Sequence, residues 1–301
     1  QNDYETFILL ADVQALTDNF DTPERVRNSV LQVLQDQLAL GLNPDTVTFF
    51  LQSAIPQIAE LTVFYSNLVS MARLERNPTV KDEIKQKDKF KDSTPLGFIM
   101  YPVSQAADIT VVKGEIVPVG EDQLPHIEQT REIVRKFNSI YGNVFPEPEG
   151  LVGETGRLIG LDGNTKMSKS LNNAIYLMDD TETVKQIVMG MYTDPSRVRA
   201  TDPGKVEGNP VFIYHDAFNE NKAEVEDLKA RYVKGKVGDV EVKQKLIVAI
   251  NKLLDPIREN RLKYMDEKKL MEILTAGTKH TYQVASKTLD EVRDAMKLIK
   301  I

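Results

Sequence analysis

Two five-residue segments, Phe7–Ala11 (FILLA) and Val47–Leu51 (VTFFL), are apolar at nearly every position. Such runs fit strands covered on both faces, as in the parallel sheets of α/β proteins, whereas a strand with one wet face would alternate. Between them Pro23 follows Asp21-Thr22 at a helix N1 position, and Val26, Val30, Leu34 and Leu38 recur at helical spacing up to Gly41. A helix is expected over 59–71. Ile116–Val119 reads as a third, very short strand that opens straight into a helix from Gln123 to Tyr141. This alternation predicts an α/β fold with a Rossmann-like, doubly wound parallel sheet.

Beyond Asp180 the strand signals stop. Thr183–Tyr192, Asn221–Lys234, Val240–Met265 and Leu289–Ile299 have amphipathic helical patterns, and Pro195–Pro210 is a Pro- and Gly-containing break. The expected organisation is an α/β domain over 1–185 and an all-helical domain over 186–301, with the last helix returning to pack on the first domain. No apolar run approaches the ~20 residues of a membrane helix. Cysteine is absent, which excludes disulfides and thiolate zinc sites, and three widely spaced histidines disfavour a histidine-rich metal site. A net charge of −7 argues against a protein that coats nucleic acid indiscriminately, although local patches still decide phosphate binding. The lysine-bearing stretches Lys81–Lys91 and Lys229–Lys245, taken on charge alone, are solvated helix faces.

Three segments carry chemistry. Lys166-Met167-Ser168-Lys169-Ser170 follows Gly163-Asn164-Thr165. By composition this is a solvated turn, but mobile ammonium groups and hydroxyls also suit a polyphosphate whose charge shifts during reaction. Val117-Pro-Val119-Gly120-Glu121-Asp122-Gln123 is a strand that ends at a glycine and enters a helix, which puts N–H groups at the carboxyl edge of the sheet where ligands bind. A generic helix cap, with Glu121 and Asp122 set against the macrodipole, would look the same. In the third segment Tyr101, Gln105 and Asp108 stand at i, i+4 and i+7 and share one helix face. A carboxylate on an apolar face needs a partner, and an indole N–H, a substrate ammonium or backbone amides would each serve.

Taken together, these segments resemble the tryptophanyl-tRNA synthetases of class I. Lys166–Ser170 is similar to the KMSKS loop, and Ala11–Thr17 (ADVQALT) to the strand-to-helix turn after the family's second strand. Tyr101-Pro-x-x-x-Ala-Ala-Asp108 and Val117–Gln123 are similar to the substrate segments, the second of which tyrosyl enzymes word differently. The resemblance implies that Asp108 accepts the indole N–H and that Tyr101 and Gln123 hold the amino acid's polar end. It implies that Val117 and Val119 line the indole pocket, that Gly120, Glu121 and Asp122 border the ATP ribose, and that the backbone near Leu158 borders the adenine. Lys166, Met167, Ser168, Lys169 and Ser170 would surround the triphosphate, with Lys81 of Asn77-Pro-Thr-Val-Lys81 reaching the same phosphates. It also implies Mg²⁺ with ATP, L-tryptophan and tRNA(Trp) as partners, a helical tRNA-binding domain, a homodimer, a cytoplasmic location and no membrane.

Two departures stand out. The family's His-x-Gly-His element, found shortly after its first strand, does not occur, and the first histidine is His126. The resemblance begins at the family's second strand, so the strand and helix that carry that element are expected to lie outside this sequence. Gln105 occupies a position that is apolar in many members. A nucleotide-dependent oxidoreductase would need a Gly-x-Gly-x-x-Gly turn, and none is present. A non-catalytic RNA-binding relative remains the alternative from another class.

Overall fold

The computed structural model of the 301-residue chain describes residues 1–86, 94–153, 158–163, 167, 173–194, 197–199 and 201–299. The elements are β1 (Thr6–Leu10), α1 (Asp12–Asn19), α2 (Pro23–Ala39), β2 (Val47–Leu51), α3 (Pro56–Ser66), α4 (Met71–Glu75), α5 (Pro78–Gln86), α6 (Leu96–Thr110), β3 (Ile116–Val119), α7 (Leu124–Tyr141) and β4 (Glu149–Val152). The helices α8 (Thr181–Gly190), α9 (Pro210–Phe218), α10 (Lys222–Val233), α11 (Asp239–Leu262) and α12 (Glu267–Ala295) follow. No described helix is long and apolar enough to cross a membrane. Two compact units result: Gln1–Glu154 with Tyr264–Ile301, and Thr155–Lys263.

The first unit holds two βαβ crossovers. β1 pairs in parallel with β2, Thr6 opposite Val47 through Leu10 opposite Leu51. β3 pairs in parallel with β4, Ile116 opposite Glu149 through Val119 opposite Val152. The composition of VTFFL follows from its surroundings. Val47 and Phe49 point into a core with Leu34 and Leu38 of α2 and Leu270 and Leu274 of α12. Phe50, one residue on, points to the other side among Ile58 and Tyr65 of α3, Val103 of α6, and Ile133 and Phe137 of α7. Alternate side chains on β2 therefore enter two cores, and each such burial contributes about 1.5–3 kcal/mol.

The amphipathic pattern marks a last helix only from Leu289, but α12 starts at Glu267. Its middle is short of large apolar residues because it lies against strand backbone: a Cβ on Gly277 would collide with the Phe49 carbonyl. Beside it, Thr278 Oγ1 accepts the Leu51 N–H at 3.1 Å, which satisfies a donor on the strand. β4 was not anticipated. Glu149-Gly-Leu-Val has no strand periodicity of its own and becomes a strand by joining the β3 ladder.

The second unit packs α8, α9, α10 and α11 around Val184, Val188, Phe212, Tyr232, Leu246 and Ile250. Its boundary falls at Glu154 and not near residue 185, because Leu161 and Ile175 join this helical core. Arg197, with a side chain 1% exposed, ties the unit together. It donates to Asp239 Oδ2 at 3.1 Å, to the Val237 carbonyl at 2.8 Å and to the Asp202 carbonyl at 2.9 Å, and it lies 4.0 Å over the Tyr232 ring. α9, which falls at the end of the expected break, starts at Pro210 with Asn209 Oδ1 accepting the Val211 N–H at 3.0 Å.

Candidate active site

β1 and β2 end side by side and release the chain into α1 and into a short 3-10 turn, Gln52–Ala54. Ala11, the N-cap of α1, has no side-chain acceptor, so the first-turn N–H groups need partners from elsewhere. Gln52, buried at 3% exposure, supplies one: the Gln14 N–H donates to its Oε1 at 2.9 Å. A backbone N–H can only donate, which fixes the amide orientation and turns Nε2 toward Asp108, where it donates to Oδ1 at 2.8 Å. In return Asp12 Oδ1 accepts the Ser53 N–H at 2.9 Å.

α6 buries Val103, Ala106 and Ala107 in the core, and its other face presents Tyr101, Gln105 and Asp108. These three line a cavity of about 420 Å³ together with Leu9, Ala11, Gln14, Ala15, Thr17, Asp18, Glu83, Phe98 and Gln123. Its size suits a small molecule. The described lining includes the carboxylates Asp18, Glu83 and Asp108 but no lysine, arginine or histidine. A cavity of that sign favours a cationic group such as an ammonium. Burial pushes the Asp108 carboxyl up to about 7, against the opposing pull of the Gln52 hydrogen bond.

A second hydrogen-bonded chain holds Tyr101. The Thr79 N–H donates to Asn77 Oδ1 at 3.0 Å, so the Asn77 Nδ2 group faces His126 Nδ1 at 3.3 Å and Gln129 Oε1 at 3.1 Å. Burial lowers the His126 pKa to about 4, which leaves a neutral ring. With Nδ1 accepting from Asn77, the ring proton sits on Nε2 and is donated to the Tyr101 hydroxyl oxygen at 3.0 Å. The Tyr101 O–H is thereby free to donate to Glu83, and burial first, then Glu83 and Asp18, raises the tyrosine's pKa.

The cavity thus brings together four residues expected from the sequence, Tyr101, Gln105, Asp108 and Gln123. Val117 and Val119 are half-buried on β3 and lie outside the cavity lining. Gly120, Glu121 and Asp122 are exposed at the end of β3, where a Cβ on Gly120 would meet Asp122 Oδ1 at 2.7 Å. Lys81 is exposed on α5. Leu158 and Met167 belong to the second unit, and Met167 packs on its core beside a 100 Å³ apolar hollow lined by Tyr214, Ile250 and Leu254. Lys166, Ser168, Lys169 and Ser170 lie outside the described residues. Gln52, Asp18, Glu83 and His126 join the site or its support without being marked as site residues by any motif of the sequence. The one local signal for Gln52 is a polar residue directly after a strand that is otherwise apolar.

Residues 1–255 match the family described as tRNA synthetases class I (W and Y). The chain belongs to this family. Among its relatives, the tryptophan–tRNA ligase of Clostridium longisporum is 53% identical over 298 residues, covering 98% of this chain and 87% of that protein. The tryptophan–tRNA ligase of Streptococcus pneumoniae is 52% identical over 305 residues, covering 99% and 89%. In structure, the class I synthetase chain is similar to tryptophanyl-tRNA synthetase of Campylobacter jejuni complexed with ADP and tryptophan. The TM-score is 0.80 at 30% identity, over 97% of this chain and 89% of that one. The parallel strands flanked by helices are the fold of this class I synthetase family.

Proposed function

We infer that the protein is a tryptophan–tRNA ligase, which activates L-tryptophan with ATP and transfers it to tRNA(Trp). The observation that carries this reading is the half-buried Asp108 carboxylate in the α6 cavity, in a chain about half identical to tryptophan–tRNA ligases. A carboxylate there accepts an indole N–H, and an analogue without that N–H leaves it buried and unpaired, which is the strong form of discrimination. Tyr101, Gln123 and the surrounding carboxylates suit the substrate ammonium.

The tryptophan carboxylate attacks the α-phosphorus of ATP in line and expels pyrophosphate, and the terminal ribose hydroxyl of tRNA then attacks the adenylate carbonyl and releases AMP. The attacking carboxylate is already ionised, so positioning and cationic charge do most of the work. Gly120, Glu121, Asp122, Lys81, Leu158, Lys166, Met167, Ser168, Lys169 and Ser170 are the residues we assign to ATP, on the strength of the family motifs that they match. Among the described residues no cluster of metal-ligating side chains offers a protein cage for Mg²⁺. The ion fits as a companion of the nucleotide phosphates. The helical unit 155–263 is assigned to tRNA, and a cytoplasmic homodimer is the working assembly.

Tryptophan-dependent ATP–pyrophosphate exchange tests the reading. Exchange with tryptophan and not with tyrosine is expected. Absence of exchange in a protein that still binds tRNA would move it to a non-catalytic role.

A further inference from the structure

Gln52 lies outside every motif of the sequence, yet it joins α1 to the ligand-facing carboxylate. Its Oε1 receives the Gln14 N–H at 2.9 Å, and its Nε2 donates to Asp108 Oδ1 at 2.8 Å. The amide cannot flip, because its NH₂ would then oppose the Gln14 N–H and its oxygen would oppose a carboxylate. Asp108 makes no other hydrogen bond to a described residue, so Oδ2 is the oxygen left for a ligand. The bond into Oδ1 is strengthened from behind, since the amide oxygen is polarised by a donor at a helix N-terminus.

We propose that Gln52 is a positioning residue that holds the Asp108 carboxylate in the orientation that meets an indole N–H, and so sets the selectivity for tryptophan. The proposal rests on the reading of Asp108 as the indole acceptor. A carboxylate freed of Gln52 has other rotamers open to it and can turn toward α1, where Oδ2 no longer points at the ring. The loss falls on the N–H contact and not on the fit of the ring, because Gln52 is absent from the cavity lining.

The protein contains no tryptophan, so the emission of the bound ligand reads binding against tyrosine alone. Affinities for tryptophan and for N1-methyltryptophan would be measured in the parent, in Gln52→Leu and in Gln52→Glu. Gln52→Leu is expected to bind tryptophan about tenfold more weakly while its weak affinity for the methylated analogue stays put, so that the selectivity ratio falls. Equal losses for both ligands would reduce Gln52 to a packing role and overturn the proposal.

Gln52→Glu gives a second, independent sign. Its carboxyl must carry a proton to donate to Asp108, and two facing carboxyls keep a shared proton to higher pH than one. Tryptophan binding by this variant is expected to weaken as pH rises, whereas in the parent it strengthens as Asp108 ionises. Asp12 and Asp18 on α1, Glu83 on α5 and Tyr101 on α6 surround the same groups in both proteins, so they cannot reverse the slope between them. Slopes of the same sign would also overturn the proposal. Asp108→Asn separates the two claims: if it keeps full tryptophan selectivity, the reading of Asp108 itself falls.

Discussion

His126 donates its Nε2 proton to Tyr101 because Asn77, held by the Thr79 N–H, leaves its amide nitrogen facing the other ring nitrogen. The ring is buried and neutral, and this sets a pH signature. Its pKa in the folded protein is about 4 against an ordinary 6.5, so the unfolded chain binds the proton first. The contribution is complete above pH 6.5 and is lost as pH falls toward 4, by up to about 3 kcal/mol at 1.36 kcal/mol per pKa unit. His126→Phe is expected to cost about 1–3 kcal/mol at neutral pH through the orphaned Asn77 amide, and to flatten this acid-side loss. Urea midpoints at neutral and acid pH check both parts.

Asp108 carries the opposite sign. Its folded pKa is raised from 3.8 to about 7, so the folded protein binds the proton first and stability declines as pH rises through that window. Asp108→Asn keeps an acceptor for Gln52 and removes the buried charge. The variant is expected to be more stable than the parent at pH 8, with the gain shrinking on acidification, while tryptophan binding is lost. A variant less stable than the parent at pH 8 would contradict the sign.

Gly277→Ala places a Cβ against the Phe49 carbonyl, and neither the helix nor the strand can yield cheaply. Although alanine is the better helix former, a loss of about 1–3 kcal/mol is expected as α12 lifts from β2 and the Thr278 bond to Leu51 weakens. Thermal melting together with hydrogen exchange at the Leu51 amide measures it.

Arg197→Lys keeps the charge but cannot serve two carbonyls, the Asp239 carboxylate and the Tyr232 face at once. Breaking such a buried set costs about 3–5 kcal/mol. Selective loss of protection in α9, α10 and α11 during hydrogen exchange is the expected readout, and an unchanged pattern would mean that the fork is dispensable.

Short-range pattern in the chain was enough to place β1, β2 and β3, the helices α8, α10 and α11, and the shared face of Tyr101, Gln105 and Asp108. These are local periodicities, written in residues within a turn or two of one another. The sequence also carried the motifs of the family, because those are short and ordered. Glu149–Val152 becomes a strand through packing alone, since its partner β3 lies 33 positions upstream in register. The same holds for Gly277, whose missing side chain makes sense only against Phe49. Gln52 and Asp108 stand 56 residues apart, one at the end of a strand and one on a helix face. No spacing rule joins them, because their meeting depends on how β2 and α6 pack around a common core.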